Sequence, residues 1–194
     1  MGRRRQDHWA RRAKSDGYRA RSVYKLEEIQ DKYALIPRKG GRVLDLGCSP
    51  GSWSEFVSQR VGRGCRLVGV DLAPVDAFPG SFVQASVFDL QTERLLELLG
   101  GPADLVMSDM APSTSGDRFA DHVNQLELAS RGLDLAGSLL RPGGNMVVKV
   151  FAGQDEPDFV ERTRTLFRTV KRVVPKATRK ESVELFVVGL SRRT

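Results

Sequence analysis

The sequence is poor in the residues that build crosslinks and metal centres. It holds two cysteines, Cys48 and Cys65, and two histidines, His8 and His122. Two thiols cannot form a disulfide framework or a four-cysteine zinc site, and the histidines have no metal-ligand spacing, so no metal is expected and a reducing compartment suits the chain. No apolar run approaches the ~18 residues of a membrane span. The N-terminus is basic but lacks the apolar core of a secretory signal. Internal repeats and low-complexity linkers are missing too. What is there is ordinary for a globular protein: 194 residues, 40% hydrophobic and 28% charged, the size of one domain.

Charge is unevenly placed. The formal net charge is +7, and residues 1–21, MGRRRQDHWARRAKSDGYRAR, carry eight Arg or Lys against two Asp. We divide the chain into a basic N-terminal arm, residues 1–14, and a single domain, residues 15–194. Such an arm suits a polyanion, because neutralising phosphates releases condensed counterions. A second basic cluster comprises Arg162, Arg164, Arg168, Lys171, Arg172, Lys176, Arg179 and Lys180. Trp9 reads as a disordered tail residue. The chain is expected in the cytoplasm, with the mitochondrion as alternative, since an Arg-rich N-terminus also serves import.

Short aliphatic runs alternate with helical patterns, which predicts an α/β fold with a mostly parallel sheet covered by helices. Seven strands are expected, at 42–46, 66–72, 81–85, 104–109, 145–151, 171–176 and 183–190. The last two are expected to form an antiparallel pair at one edge. Helices are expected at 18–33, 51–60, 91–99, 120–140 and 155–168, with a turn at RPGG, residues 141–144.

In such sheets ligands bind beyond the carboxyl ends of the strands, where strand order reverses. The stretch DLGCSPGSW sits at the end of the first strand. Its spacing, Gly47 to Gly51, matches neither the G-x-G-x-x-G dinucleotide fingerprint nor a P-loop, which disfavours a pyrophosphate cofactor. Asp71 ends the second strand, where a carboxylate can bond both ribose hydroxyls. Asp89 follows the third strand and could accept from an exocyclic amine. Together they outline a pocket for an adenosyl group without phosphates, which S-adenosylmethionine fits.

Four charged residues stand where apolar ones belong. Lys149 interrupts MVVKVF, and an unpaired ammonium inside a buried strand is costly. Asp109 ends the fourth strand in VMSDMAPS. Glu184 lies within the apolar SVELFVVGL, and Lys25 sits on the helix after the arm. A structural ion pair is the competing reading for Lys149 and Glu184.

The segments GYRARSVYKL, VLDLGCSPGSWS, VGVDL, SDMAP, VVKVF and SVELFVV resemble the FtsJ/RrmJ family of RNA 2′-O-ribose methyltransferases, over residues from about 14 to 190. Within the family they are nearest the large-subunit rRNA uridine-2′-O enzymes. The resemblance implies a Rossmann-like class I S-adenosylmethionine-dependent fold and a catalytic set of Lys25, Asp109, Lys149 and Glu184. It implies cofactor contacts at Gly51, Trp53, Asp71, Asp89 and Asp109, with Asp45 and Gly47 in the same loop, and Lys149 as the base. Its implied partner is RNA, namely rRNA within the large ribosomal subunit, with no membrane and no obligate protein partner. Ser52 departs from the glycine of many members, and SVFDL departs from a more usual G-D-[FIV]. Three alternatives stay open: tRNA as the substrate, an RNA-binding protein that has lost catalysis, and a nicotinamide oxidoreductase.

Overall fold

The computed structural model describes residues 8–113, 116–179 and 181–194. Residues 1–7 of the basic arm and Lys180 of the second cluster lie outside the described residues.

The chain opens with α1 (His8–Ser15) and α2 (Val23–Tyr33), then runs β1 (Arg42–Leu46), α3 (Ser52–Val61), β2 (Arg66–Asp71) and β3 (Ser81–Gln84). A single 3-10 turn (Val87–Asp89) leads to α4 (Thr92–Leu99), β4 (Ala103–Ser108), α5 (Arg118–Leu139) and β5 (Leu140–Phe151). The chain ends with α6 (Glu156–Leu166), β6 (Phe167–Val173) and β7 (Glu184–Arg192). The strands form one sheet in the order β3-β2-β1-β4-β5-β7-β6. β1 to β5 are parallel, and β7 runs antiparallel to both β5 and β6. Strand order reverses between β1 and β4, which puts the crevice beyond the ends of those two strands.

Both faces of the sheet are buried, so its central strands read as continuous apolar runs. One face carries Leu44, Val68, Val106, Val148 and Val187 against α4, α5 and α6, through Leu95, Leu133 and Phe159. The other carries Val43, Leu67, Met107, Val147, Phe186 and Val188 against α1, α2 and α3, through Ala13, Leu26, Ile29 and Phe56. Successive strand residues alternate faces. Lys149, two after Val147, and Glu184, two before Phe186, therefore point to the α2 side.

Three differences from the sequence expectation have physical causes. α1 occupies residues expected in the tail: Ala13 is buried, Trp9 packs 5.2 Å from the ring of Tyr24, and the Arg12 guanidinium lies 4.4 Å over that ring. Its apolar stripe is only those two residues wide, too narrow to stand out from a charged run. β6 begins at Phe167 rather than 171, because an edge strand with exposed arginines lacks the apolar signal. RPGG does not precede β5 but bulges from it: pairing with β4 passes from Ala103↔Leu140 to Leu105↔Asn145, and Gly143 takes φ +80°. No helix among the described residues is long and apolar enough to cross a membrane.

Candidate active site

A cleft of about 370 Å³ opens beyond the ends of β1, β2 and β4. Its walls include Gly47, Ser49, Asp71, Leu72, Ser86, Val87, Phe88, Asp109, Met110 and Leu128. Gly47 is there for two reasons: its φ is +72°, and a Cβ would lie 2.7 Å from Met110 Cγ and 2.9 Å from Met110 backbone. Its amide donates to Val70 O at 2.8 Å, fixing the turn against β2. Asp71 is held by two backbone donors, Ser49 N to Oδ2 and Ala73 N to Oδ1, both at 2.9 Å. That leaves a lone pair on each oxygen for the two hydroxyls of a ribose.

No lysine, arginine or histidine is among the described residues that line the cleft. An anionic pyrophosphate finds no counter-charge there. A largely apolar cleft beside the carboxylates of Asp71 and Asp109 suits an adenosyl group carrying a cationic sulfonium. The donor set thus fits the cofactor expected from the sequence.

At the carboxyl edge of the sheet the four charged residues assemble as two pairs, and of the four it is Asp109 that lines the cleft. Lys149 Nζ donates to Asp109 O at 2.7 Å and lies 3.1 Å from Asp109 Oδ1, the latter an ion-pair contact without hydrogen-bond geometry. Lys25 Nζ pairs with Glu184 Oε1 and sits 5.8 Å over the ring of Phe186. Lys149 and Phe186 are partners across the antiparallel β5–β7 ladder, so both lysines neighbour the same core phenylalanine. The lysines are 6% and 8% exposed. Such burial is tolerated because each ammonium has a carboxylate within contact distance.

The remaining expected residues divide. Asp71 and Asp109 face the cleft. Gly51 caps α3 with φ +110° and lies behind the loop, where a Cβ would meet Val75 Cγ1 at 3.3 Å. Trp53 is 3% exposed, donates from Nε1 to Ser22 O at 2.8 Å and stacks at 5.7 Å on Phe186. It faces the core between α2, α3 and β7, away from the cleft. Asp89 is exposed and borders a separate shallow cavity beside Leu90 and Arg94. In its place the cleft presents Ser86, Val87 and Phe88, and Phe88 is 55% exposed. A short polar residue capping a one-turn helix after β3 is the signal for Ser86, and its hydroxyl accepts from Phe88 N at 3.3 Å.

Asp45 lies beneath the loop, 1% exposed, with Ser54 Oγ donating to Oδ2 at 2.6 Å and no hydrogen-bond partner at Oδ1 among the described residues. Burial, reinforced by the nearby Asp109 and Asp71 and opposed by the Ser54 hydrogen bond, pushes its carboxyl up to about 7. Gln125, 1% exposed on α5, donates from Nε2 to Lys149 O at 2.9 Å. A lone glutamine in a helix gives no sequence signal, and it was not anticipated.

An open sheet in this order, with an adenosyl-shaped cleft at its reversal point, defines the Rossmann-like methyltransferase class. The FtsJ-like methyltransferase family matches residues 18–192. The ribosomal RNA large subunit methyltransferase E of Desulfosudis oleivorans is 44% identical, covering 99% of this chain and 93% of its own. That of Myxococcus xanthus is 43% identical, covering 96% and 89%. Among solved structures, one from Plasmodium falciparum described as a ribosomal RNA methyltransferase superposes with TM-score 0.80 and 26% identity, over 90% of this chain and 98% of that one. Aeropyrum pernix fibrillarin shares the fold at TM-score 0.60 and 17% identity, over 87% and 76%. The chain belongs to the FtsJ-like methyltransferase family.

Proposed function

We propose that the protein uses S-adenosylmethionine to methylate the 2′-hydroxyl of a large-subunit rRNA ribose, a uridine within the ribosomal subunit. The observation that carries this reading is the buried Lys149 paired with Asp109, which lines an adenosyl-sized cleft, while the buried Lys25, paired with Glu184, lies over the ring of Phe186, the partner of Lys149 across the β5–β7 ladder. The relatives named for large-subunit rRNA match nearly the whole chain. Asp71 would hold the cofactor's ribose, and Ser86 with the walls at Val87 and Phe88 would hold its base. When bound, S-adenosylmethionine supplies a sulfonium methyl, an electrophile for an oxygen nucleophile.

The chain's own work is to position a ribose hydroxyl and take its proton. Much of the rate of such a reaction comes from alignment. Lys149 is the proposed base. Its hydrogen bond to Asp109 O fixes the Nζ against that residue, with Oδ1 as a neighbouring charge, and leaves the rest of the amine for an entering hydroxyl. Asp109 orients it from below. Lys25, held by Glu184, is left to bind the substrate ribose from the opposite side. The relevant pair attraction, about 5 kcal/mol at 3.1 Å and an effective dielectric of 20, is countered by desolvation.

Labelled methyl transfer to rRNA, ribosomal subunits and tRNA, with Lys149→Ala as control, tests the reading. Label on a large-subunit ribose, lost by at least ~10³-fold in the variant, is the expected result. Label on tRNA instead would replace the substrate, and undiminished transfer by Lys149→Ala would remove the base. Single-turnover rates against pH give the second check: the acidic limb of the wild type should be absent in any residual activity of Lys149→Ala.

A further inference from the structure

Arg19 belongs to neither the cleft nor the two lysine pairs, yet it touches both loops that frame the cleft. Its Nη1 donates to Pro50 O at 3.2 Å and to Asp76 O at 2.6 Å, while Nε faces Glu55 Oε1 at 2.6 Å. Pro50 is in the loop after β1, Asp76 in the loop after β2, and Glu55 in the first turn of α3. The guanidinium also lies against the glycine turn, since a Cβ on Gly51 would stand 3.7 Å from Nη1. One planar fork therefore holds three separate elements at fixed angles, which a lysine ammonium on a flexible stem cannot reproduce.

The backbone of Arg19 belongs to the segment between α1 and α2 that leads to Lys25. That segment is fastened on both sides of Arg19. Tyr18 OH donates to Gln59 Oε1 at 3.3 Å, and Trp53 Nε1 donates to Ser22 O at 2.8 Å. Further on, Arg21 Nη2 donates to Ala177 O at 2.9 Å, reaching the loop that precedes Glu184. Side-chain bonds thus tie the loops of the cofactor cleft to the segment that leads to Lys25, and that segment to the loop that precedes Glu184.

We infer that Arg19 is a positioning residue that couples cofactor binding to RNA binding, by tying the segment before Lys25 to the two loops of the cofactor cleft. Occupation of the cleft by the cofactor orders those loops. Through Pro50, Asp76 and Glu55 the order passes to residues 18–22, and so to Lys25 and the substrate side. By linkage the effect is reciprocal: RNA on the basic side tightens the cofactor by the same factor. The inference rests on the methyltransferase reading, which supplies the identities of the two ligands.

The test is calorimetric titration of the full chain with S-adenosylhomocysteine, with and without purified large-subunit rRNA, for wild type, Arg19→Met and Arg19→Lys. Wild type should bind the nucleoside about fivefold tighter with RNA present. Arg19→Met should bind it about tenfold more weakly without RNA and gain nothing from RNA. Arg19→Lys keeps the charge facing Glu55 but not the fork; it should recover part of the affinity and none of the gain. A wild type without the RNA effect, or an effect of undiminished size in both variants, overturns the coupling. A wild type that binds no S-adenosylhomocysteine overturns the cofactor reading instead, a result distinguishable from failure of the coupling alone.

Discussion

At Lys149 the sheet's hydrogen-bond ladder with β4 has just ended, since the last paired residues are Ser108 and Val148. The carbonyl of Lys149 is satisfied instead by Gln125 from the helix above. Removing that donor leaves a buried carbonyl unpaired, at a cost of about 1–3 kcal/mol, and frees the peptide that aims Nζ. Gln125→Leu should lower single-turnover methyl transfer about tenfold while the affinity for S-adenosylhomocysteine stays at the wild-type value; equal loss in both would show a general collapse of the cleft. The contrast between Lys149 and Gln125 shows what a sequence discloses. A lysine among valines in a strand violates the pattern and is conspicuous; a glutamine in an amphipathic helix violates nothing. Trp53 misleads in the other direction. Its neighbours in the chain form the cofactor loop, but its indole finds a carbonyl on α2 and a ring on β7, and turns inward.

Among the elements, β1 carries an internal tension. Asp45 is raised to about 7 in the folded protein by burial, against an unfolded value near 3.9. Between those values the folded state holds a proton that the unfolded chain has released, so stability falls as pH rises through that window and levels off above it. Asp45→Asn should remove the slope. Urea midpoints at pH 5 and pH 8 measure this: the wild type should lose stability between them, by an amount on the order of a few kcal/mol, and the variant should not. β1, β2, β4 and the second half of β5 are legible because burial on both faces leaves apolar runs such as LVGV and MVVKV. β6 was misplaced because exposed Arg168, Lys171 and Arg172 mask its pattern. α1 was hidden for the same reason, its arginines resembling an unstructured arm until Trp9 and Tyr24 are seen in contact.

On the scale of the whole molecule, the second basic cluster separates into two sides. Arg162 meets Ser130 and Asp134, Arg164 meets Glu161, and Arg172 meets the buried Glu156, all on the α5–α6 side of the sheet. Lys171 pairs in register with Val188 and so faces the α2 side, and Lys176 N bonds Glu28 on α2 itself. On the proposed function, the RNA path to the two lysine pairs runs over the second side. Lys171→Ala with Lys176→Ala should reduce the slope of log affinity against log salt by roughly 1.4, about 0.7 for each lost single-strand phosphate contact. Arg164→Ala should leave it unchanged. Filter binding across a salt series distinguishes the two, and an equal effect of Arg164→Ala would place the RNA path across both faces. Linear sequence merged these residues because α6 and β6 are adjacent in the chain; the sheet between them divides them in space.

The reversed direction of β7 has an evolutionary corollary. Its first residue, rather than its last, meets the rim, so Glu184 is delivered by the connection 174–183 that comes before the strand. The walls of the cleft come from the loops after β1, β2, β3 and β4, while β7 lies on the other side of the sheet's centre. Insertions or replacements in 174–183 can therefore remodel what the enzyme embraces without redrawing the half that holds its methyl donor. A lineage with this architecture can exchange targets while inheriting its chemistry intact.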